Sequence, residues 1–250
     1  MEYSEYTKMY ELEDSHWWFL GKRKIAEKMI ARYVPLTPQD RILDVGCGTG
    51  GMMKVLREHG QVFGVDICSL GLELARGRGF DSLSQGSALG LPFADNTFAL
   101  ITSFDVLYHE EVGNDALALR EYYRLCRPGG SLLITDSALP ILYSQHDQAY
   151  HGSRRYTARD LRRKVTQAGF QVLKLSYMNM LLFPFVFAIR MTKRYAPGNT
   201  SESSDLHPVS PLLNSILFAI YGLEGSLLTR ANLPVGSSLL CVARKPPNQG

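Results

Sequence analysis

The sequence lacks the cysteine clusters and the charge imbalance that mark several large protein classes. Its four cysteines are far apart and form neither a Cys-x-x-Cys pair nor a Cys/His group, so we expect no zinc, iron–sulfur or other metal site. The same pattern favours a reducing, cytoplasmic setting. With 27 basic and 24 acidic residues, the formal net charge of +3 is too small to predict a nucleic acid partner.

No segment combines the length and composition of a secretory signal or of a transmembrane helix. The first residues are acidic and lack a basic start followed by an apolar run. The longest apolar stretch, 178–191, contains Arg190 and is shorter than the roughly 20 residues that span a bilayer. The second stretch, 212–228, contains Glu224, and we expect neither to cross a membrane. Between them, the Pro-, Gly- and Ser-rich residues 196–211 predict a flexible surface loop.

The chain does contain a regular alternation of strand and helix patterns. Short apolar runs predict strands at Arg41–Val45, Val62–Asp66, Phe98–Ser103, Ser131–Thr135, Gln171–Tyr177 and Ser237–Arg244. Helical patterns with capping residues predict helices at Met52–His59, Ser69–Arg76 (N-cap Ser69), Asp115–Cys126 (N-cap Asn114) and from Thr157 to Gly169. This alternation predicts an α/β fold with a mostly parallel sheet and helices on both faces.

The most informative segment is a glycine-rich loop that follows the first strand. It reads Asp-Val-Gly-Cys-Gly-Thr-Gly-Gly over 44–51, and Asp66 ends the next strand. Glycines let the chain turn tightly and let a ligand approach the backbone. An acid at the end of the second strand can accept hydrogen bonds from a ribose. We therefore expect an adenosine-type cofactor at the carboxyl ends of the strands.

Two cofactors fit such a loop, and Asp44 distinguishes between them. Gly46, Gly48 and Gly51 satisfy the dinucleotide pattern GxGxxG, which alone is weak evidence. A carboxylate at Asp44 would repel the pyrophosphate of a dinucleotide. The same carboxylate would attract the ammonium and sulfonium groups of S-adenosylmethionine, which has no phosphate. We therefore expect S-adenosylmethionine rather than a nicotinamide cofactor.

Four motifs in the correct order resemble those of the class I S-adenosylmethionine-dependent methyltransferases. They are DVGCGTG, the acid of VDI, GSALGLPFADNTFALITSFDVLYH and LCRPGGSLLIT, and the likeness covers about 36–177 and the final strand. The pattern is most similar to that of the small-molecule methyltransferases with the LPF…FD motif. The resemblance implies a Rossmann-like, doubly wound, seven-stranded sheet whose last strand, Ser237–Arg244, is antiparallel. It also implies S-adenosyl-L-methionine as cofactor and S-adenosyl-L-homocysteine as product.

We divide the chain, as one methyltransferase domain over 1–250, into four parts. They are an N-terminal helical lid (1–35), the cofactor-binding core (36–177), an apolar helical insertion (178–232) and the last strand and tail (233–250). Two interpretations of the insertion stay open. It either packs as a helical hairpin on the core or on a second subunit, or it forms an apolar acceptor chamber or a membrane-facing surface.

The resemblance also implies cofactor contacts along the core. They fall on Asp44, Gly46, Cys47, Gly48 and Gly50 for the methionine part, Asp66 for the ribose, Ile67, Ser87, Ala88 and Leu89 for the adenine, and Phe104 and Asp105 beside the methyl group. Ser87 departs from the family, which usually has an Asp there that accepts a hydrogen bond from the adenine amino group. The loss of charge weakens this contact.

The segment before the first strand adds further candidates. The adjacent Trp17 and Trp18 offer aromatic faces to a sulfonium or an ammonium, so that Trp18 contacts the cofactor and Trp17 the acceptor, or else they pack against the sheet. For the basic run Lys22-Arg23-Lys24 we expect a solvated face. Arg23 is also a candidate to meet the carboxylate of the cofactor.

Two histidines are candidate catalytic bases, because a neutral imidazole can take a proton from a hydroxyl. His151 follows the fifth strand and is the first choice, and His109 is the second; each also fits an ordinary loop or buried histidine. The candidate acceptor-binding residues are Tyr108, Arg154, Arg155 and Tyr156. The two arginines suit a carboxylate or phosphate on the acceptor, or form a solvated pair.

These features predict methyl transfer by in-line displacement to a small organic acceptor. A hydroxyl on an apolar, lipid-like or natural-product molecule is our first choice, since the sequence has no Asn-Pro-Pro-Tyr signature of amide methylation. The alternatives are a cofactor-binding partner subunit without activity and, less favoured, a nicotinamide-dependent oxidoreductase. We expect no nucleic acid partner; 178–230 allows a peripheral membrane contact, and a homodimer stays open.

Overall fold

The computed structural model describes residues 3–144, Asp147, 151–195 and 208–247, with the side chains of 193–195 excepted. The strands are β1 Arg41–Val45, β2 Gln61–Asp66, β3 Leu83–Gln85, β4 Phe98–Phe104, β5 Cys126–Ser137, β6 Gln171–Met178 and β7 Ser238–Arg244. Most of the predicted surface loop at 196–211 lies outside the described residues.

The seven strands form one sheet in the order β3-β2-β1-β4-β5-β7-β6. Strands β1 to β5 run parallel, whereas β7 lies antiparallel between β5 and β6, with Leu133 opposite Val242 and Leu175 opposite Cys241. This confirms the predicted fold class, including the antiparallel last strand. The sequence patterns missed β3, because its three residues are too few to show a period.

Helices cover both faces of this sheet. The α-helices of the described residues are α1 Tyr3–Leu12, α2 Trp17–Tyr33, α3 Met53–Leu56, α4 Ser69–Gly77, α5 Asp115–Leu125, α6 Ala158–Gln167, α7 Phe183–Tyr195 and α8 Pro211–Leu228. Short 3₁₀ turns lie at Glu110–Val112 and Pro140–Leu142.

Two of the predicted helix starts are confirmed by their capping bonds. The Asn114 side chain accepts a hydrogen bond from the backbone N–H of Leu117 at 3.0 Å. Thr157 Oγ1 accepts one from the backbone N–H of Asp160 at 3.2 Å. In both helices the short polar side chain satisfies a backbone donor that has no partner within the helix.

Two other helix boundaries differ from their predictions. Ser69 is the first residue of α4 rather than its N-cap, which is Cys68, and Cys68 makes no side-chain capping bond. The helix predicted at Met52–His59 is reduced to α3, because the chain must turn before β2. At that turn Gly60 lies against Asp40, where a Cβ atom would be 2.4 Å from the Asp40 carbonyl oxygen.

Alternate residues of the central strands pack on opposite faces of the sheet, as the two-residue period of a strand requires. On one face, Leu43 and Ile101 belong to a core that α5 and α6 complete with Leu119, Tyr122, Leu161 and Val165. On the other face, Ile42 and Leu100 pack in a core that α2 and α8 complete with Ile25, Met29, Tyr221 and Leu228. The sheet is therefore the middle layer of three.

The helix α8 packs on α2 and forms hydrogen bonds with the turn that precedes α2. Tyr221 covers Gly21 so closely that a Cβ atom there would lie 2.3 Å from Tyr221 Cδ1. At the start of α8, Asn214 Oδ1 accepts a hydrogen bond from the backbone N–H of Trp17 at 2.8 Å, and Nδ2 donates to Ser15 O at 2.9 Å. The inner face of α8 is thus part of the core.

The outer surfaces of α7 and α8 are strongly apolar. Their exposed large side chains are Phe185, Ile189, Leu212, Leu213, Ile216, Phe218 and Leu223. Among the described helices, α8 alone passes a test of length and composition for crossing a membrane, with a mean hydropathy of 1.3 and 22% of its residues buried. One such helix is weak evidence, because a core helix passes the same test.

Candidate active site

The carboxyl ends of β1, β2 and β4 open into a cavity of about 510 Å³. Ligands of parallel α/β sheets bind at this edge, near the point where the strand order reverses. The cavity wall includes these residues predicted from the sequence: Trp17, Trp18, Arg23, Asp44, Gly46, Cys47, Gly48, Asp66, Ile67, Ser87, Ala88, Phe104, Asp105, Tyr108, His109 and Arg155. It does not include Gly50, Leu89, His151, Arg154 or Tyr156.

The glycine loop folds around the acid that ends β2. Gly46 and Gly48 have φ angles of +75° and +53°, which L side chains rarely adopt. A Cβ atom at Gly46 would also lie 2.3 Å from Val106 Cγ2. The backbone N–H of Gly48 donates to Asp66 Oδ2 at 2.8 Å. The loop therefore brings its backbone and the Asp66 carboxylate to the same end of the cavity.

Gly50 and Leu89, which we predicted as cofactor contacts, do not line the cavity. A Cβ atom at Gly50 would lie 3.1 Å from Phe80 Cδ2 and 3.2 Å from Ala75 Cβ, so this glycine serves close packing against α4 rather than the cavity. Leu89 packs against the core that α5 and α6 cover. Spacing in the sequence placed both residues near the ligand, but it did not fix the direction in which they face.

Asp44 and Asp66 are buried carboxyl groups at the same end of the cavity. Asp44 is 2% exposed and accepts a hydrogen bond from Thr102 Oγ1 at 2.7 Å. Burial, with a smaller contribution from the charge of Asp66, raises the pKa of Asp44 to about 7 despite that bond. Burial also raises the pKa of Asp66, although backbone N–H groups of Cys68 and Gly48 donate to it and oppose the shift.

The helix α1, which belongs to the segment predicted as a helical lid, contributes side chains to this end of the cavity, although the sequence singled out none of them. Tyr6 Oη donates a hydrogen bond to Asp66 Oδ1 at 3.0 Å. Met9 lies over the glycine loop, with its Cε 2.8 Å from the position of a Cβ at Gly48. Both contacts join residues that are far apart in the sequence, so only the folded chain reveals them.

Arg23 lines the cavity while its guanidinium bonds to the surrounding protein. Its Nη2 donates to Glu13 O at 2.6 Å, and its Nη1 donates to Gly51 O at 3.2 Å and lies 3.3 Å from Asp14 Oδ1. The Glu13 carboxylate in turn pairs with Arg78 Nη2 at 2.7 Å. Arg23 therefore ties the turn between α1 and α2 to the glycine loop, and its contact with a cofactor carboxylate stays a prediction.

Lys22 is buried, which corrects the expectation of a solvated basic run. Its Nζ pairs with the Asp105 carboxylate and lies 4.2 Å from the centroid of the Trp18 ring. Lys24, by contrast, is half exposed and pairs with Glu27 at 3.3 Å. The two lysines differ because α2 turns one face toward the cavity and the other toward solvent.

The predicted adenine contacts lie at the edge of the cavity. Ser87 Oγ accepts a hydrogen bond from the backbone N–H of Leu89 at 3.3 Å, so the hydroxyl supports its own turn. Ala88 is buried, whereas Ile67 is 53% exposed. An exposed Ile67 leaves apolar surface that a flat ring can cover.

Of the two candidate bases, the structure brings only His109 to the cavity. Burial lowers the pKa of His109, and its Nδ1 has no hydrogen-bond partner among the described residues, although Glu111 Oε2 lies 3.7 Å away. The ring of Tyr108 lies 4.4 Å from that of His109, centroid to centroid. His151 lies outside the wall, and its Nδ1 is 2.8 Å from Glu110 Oε1.

The predicted acceptor residues after β5 mostly serve the protein's own contacts. Arg155 lines the cavity, but its Nε donates to Asp147 Oδ1 at 2.8 Å. Tyr156 Oη donates to Asp115 Oδ2 at 2.7 Å, and Arg154 Nη1 lies 3.5 Å from the same oxygen. Tyr156 and Arg154 therefore contact Asp115 and lie outside the cavity wall.

The predicted insertion contributes several apolar side chains to the cavity wall, beside the polar Asn179 and Arg190. Leu182, Val186 and Ile189 line it from α7 and the residue before it, and Tyr221 lines it from α8. Ile189 is also 54% exposed. The apolar wall of the cavity therefore continues onto the exposed surface of α7.

These residues fit a cationic adenosine cofactor better than a dinucleotide. Among the described residues, neither Asp44 nor Asp66 forms an ion pair, and both carboxyl groups have raised pKa values. A sulfonium or ammonium nearby would stabilise their ionised forms, whereas a pyrophosphate would add repulsion. No group of three His, Cys, Asp or Glu side chains in the described part of the chain is placed to hold a metal ion, and the absence of a metal stays a prediction.

Comparison with known proteins identifies the core. Residues 43–134 match a family model described as a methyltransferase domain. The chain is 35% identical over 131 residues to 2-phytyl-1,4-naphtoquinone methyltransferase of Synechocystis sp., which covers 48% of this chain and 54% of that protein. The chain spans about half the length of the curated relatives it matches.

Solved structures show the same fold over nearly the whole chain. The complex of the Trm112 methyltransferase activator with a methyltransferase from Haloferax volcanii covers 98% of this chain and 95% of that chain, with a TM-score of 0.62 and 20% identity. Geranyl diphosphate methyltransferase in complex with S-adenosylmethionine covers 88% and 84%, with a TM-score of 0.60 and 19% identity. At these identities the likeness establishes the fold. Residues 43–134 thus match a methyltransferase domain, and this match, with the antiparallel last strand, supports the predicted class I S-adenosylmethionine-dependent methyltransferase, whose cofactor is the one that Asp44 predicted.

Proposed function

We propose that the chain transfers the methyl group of S-adenosylmethionine to a hydroxyl on a small apolar, lipid-like or natural-product acceptor. One observation carries this proposal: a single cavity has buried carboxyl groups at one end and the apolar side chains of α7 at the other. The first end suits a cationic donor, and the second suits an apolar acceptor.

The chain's contribution to the reaction is to bind and align the two molecules. The cofactor, when bound, supplies a methyl group already activated by its sulfonium. Asp44 and Asp66 favour that positive charge, and Phe104 and Asp105 end β4 beside the glycine loop, because β4 pairs with β1. Alignment of two reactants in one site removes much of the entropic cost of their encounter.

We assign the proton-accepting role to His109. An imidazole whose pKa is lowered by burial is neutral near pH 7, and a neutral imidazole accepts a proton. His109 lies in the wall of the same cavity as the predicted methyl site. The proton of the acceptor hydroxyl would pass to its ring as the oxygen attacks the methyl carbon.

Cofactor binding and turnover test this function separately. Calorimetry with S-adenosylhomocysteine and with NAD should show binding of the first and none of the second. A screen of lysate metabolites with a labelled methyl donor, followed by mass identification of the product, should then reveal the acceptor. Binding of S-adenosylhomocysteine without any methylated product would instead favour the partner subunit without activity.

A pair of histidine variants tests the proposed base. His109→Gln should lower turnover by about 10²-fold or more, in the range of a lost general base, while the affinity for S-adenosylhomocysteine stays nearly unchanged. His151→Asn is the matched control, because asparagine tolerates the positive φ of 52° at that position and His151 lies outside the cavity. Equal turnover in His109→Gln and the wild type would refute the assignment.

We also propose that the exposed apolar surface of α7 and α8 contacts a lipid bilayer peripherally. This surface continues into the cavity through Ile189, so an acceptor dissolved in lipid has a path to the site. A second copy of the chain on the same surface would cover that path. A cytoplasmic location with such a contact is part of the proposal.

A further inference from the structure

A buried ion pair between Lys22 and Asp105 faces the cavity. The two side chains are 9% and 23% exposed, and both residues line the wall. Taking two charges out of water costs free energy that their attraction repays only when other polar contacts complete the pair. An ion pair held at a cavity wall, where a ligand can make those contacts, is therefore a candidate binding group.

The backbone around Asp105 is held in an uncommon conformation. Its φ angle is +57°, and its backbone N–H donates to Thr135 O at 2.8 Å. Non-glycine residues in this region carry strain, and such residues cluster at functional sites. In this conformation the Asp105 carboxylate pairs with Lys22, whose ammonium also lies 4.2 Å from the centroid of the Trp18 ring.

Two other buried acids, Asp136 and Glu224, have environments different from that of this pair. Asp136 is fully buried behind it, and its Oδ2 has no hydrogen-bond partner among the described residues. Burial raises the pKa of Asp136 well above the usual range, which disfavours a negative charge there. Glu224 accepts hydrogen bonds from the backbone N–H groups of Asn179 and Leu181. Among the described residues, Asp105 is therefore the acid that pairs directly with Lys22.

An ammonium group that donates a hydrogen bond to the nucleophile favours an oxygen over a nitrogen nucleophile. An oxygen nucleophile can accept a hydrogen bond on one lone pair and attack the methyl carbon with another. A neutral amine has one lone pair, which a hydrogen bond from Lys22 would occupy. An ionised oxygen also gains the attraction of the positive charge, and charge-assisted hydrogen bonds are roughly twice as strong as neutral ones.

We propose that Lys22 Nζ binds the oxygen of a phenol- or enol-type acceptor in its ionised form, with Asp105 as the residue that positions the lysine. This inference rests on the proposed function and narrows its acceptor to an acidic hydroxyl. The acceptor proton leaves to His109. A lone pair of the oxygen then forms the C–O bond to the methyl carbon, while the C–S bond breaks and its electron pair stays on sulfur as the thioether product.

The ionisation of a phenolic probe tests the proposal without knowledge of the natural acceptor. We would titrate 4-nitrophenol by absorbance with the wild-type protein and saturating S-adenosylmethionine, since the phenolate absorbs where the phenol does not. The bound probe should ionise about one pH unit lower than in buffer, which corresponds to a roughly tenfold preference for the phenolate. Lys22→Met should abolish this shift, and Lys22→Arg should retain part of it.

Lys24→Met is the matched control, because Lys24 lies two residues away on the exposed side of α2 and should leave the shift unchanged. Asp105→Asn should enlarge the shift, since it leaves the ammonium without its counter-charge; a purely structural ion pair would show no such gain. Calorimetry with S-adenosylhomocysteine on each variant reports whether the cofactor site is intact.

The outcomes distinguish failure of the role of Lys22 from failure of the proposed methyl transfer. No shift in the wild type, whether the probe binds as the phenol or does not bind, contradicts the role of Lys22 while cofactor binding stands. An equal shift in Lys22→Met also contradicts it. Failure of the wild type to bind S-adenosylhomocysteine would instead remove the proposed function itself.

Discussion

At the scale of single residues, Asp44 shows how a functional group destabilises the fold that contains it. The pKa of this carboxyl rises from 3.8 to about 7 on burial, so the native state holds a proton that the unfolded state releases above pH 4. The stability of the cofactor-free protein therefore falls as the pH rises from about 4 to 7. A cation bound beside Asp44, as we propose for the cofactor, would offset this cost.

We predict that Asp44→Asn stabilises the free protein and weakens cofactor binding. Above pH 7 the substitution removes the cost of the buried charge, and Asn Oδ1 can still accept the bond from Thr102. The melting temperature should rise by about 2–4 °C for each kcal/mol recovered, and this gain should vanish near pH 4. Calorimetry should show that S-adenosylmethionine binds at least about tenfold more weakly. A tenfold loss of affinity equals the free energy of a shift of one pKa unit in the Asp44 carboxyl. Unchanged affinity would contradict the role of Asp44.

At Ser87 we predict a substitution that strengthens cofactor binding, because the family usually has a carboxylate at this position. The Ser87 hydroxyl is engaged with the backbone N–H of Leu89, which leaves a weak acceptor for an adenine amino group. Ser87→Asp should tighten S-adenosylhomocysteine binding by about 3- to 10-fold through a charge-assisted hydrogen bond. S-inosylhomocysteine, which has no adenine amino group, is the control ligand and should gain nothing. Equal gains for both ligands would show that the new charge acts elsewhere.

At the scale of helices, α8 forms hydrogen bonds with the turn between α1 and α2. Asn214 bonds to both sides of the turn between α1 and α2, through Trp17 and Ser15. That turn leads into α1, whose Tyr6 donates to Asp66. The Asn214 amide therefore adds a polar link between the predicted insertion and the predicted lid to the packing of α8 on α2.

We predict that Asn214→Ala loosens α1 and the turn after it. The substitution removes two hydrogen bonds, each worth about 1 kcal/mol. Amide hydrogen exchange should accelerate at Trp17 and in α1, and S-adenosylhomocysteine should bind several-fold more weakly. Ser215→Ala is the matched control, since its hydroxyl bonds only to Pro211 O within the same exposed turn among the described contacts. Equal exchange in both variants would show that α8 does not hold the turn.

At the scale of the whole molecule, apolar surface is distributed unevenly. The exposed large side chains concentrate on α7 and α8, while the inner face of α8 buries Tyr221 and Leu228 in the core. Removal of the whole segment would therefore uncover the core on α2. Substitutions on the outer face test its role without that damage.

We predict that Leu212→Gln combined with Ile216→Gln reduces binding to vesicles of neutral phospholipid by about tenfold in a co-sedimentation assay. The two side chains are 74% and 49% exposed, and burial of each in lipid contributes roughly 1.5–3 kcal/mol at most. Leu117→Gln, which is 42% exposed on α5, is the control and should bind like the wild type. Concentration-dependent dimerisation that the double variant abolishes, without vesicle binding by the wild type, would assign the surface to a second copy.

The sequence by itself determined the features that depend on local order along the chain. The strand β1, the glycine loop and Asp66 follow one another within a single strand–helix–strand unit, so their spacing fixed the cofactor end of the site. The caps at Asn114 and Thr157 were equally readable, because each accepts a hydrogen bond from a backbone N–H three residues further along the chain. The antiparallel β7 followed from the family resemblance rather than from any local pattern.

Only the tertiary structure decided which side chains of neighbouring segments face the cavity. Lys22 and Lys24 share one basic run, yet only Lys22 meets Asp105, because the packing of α2 on the sheet and on α8 sets its rotation. The sequence made His151 the first candidate base and His109 the second, yet of the two the fold brings only His109 to the wall. Tyr6 reaches Asp66 across sixty positions of sequence. Contacts of this range arise from the global packing of apolar faces, which no local spacing encodes.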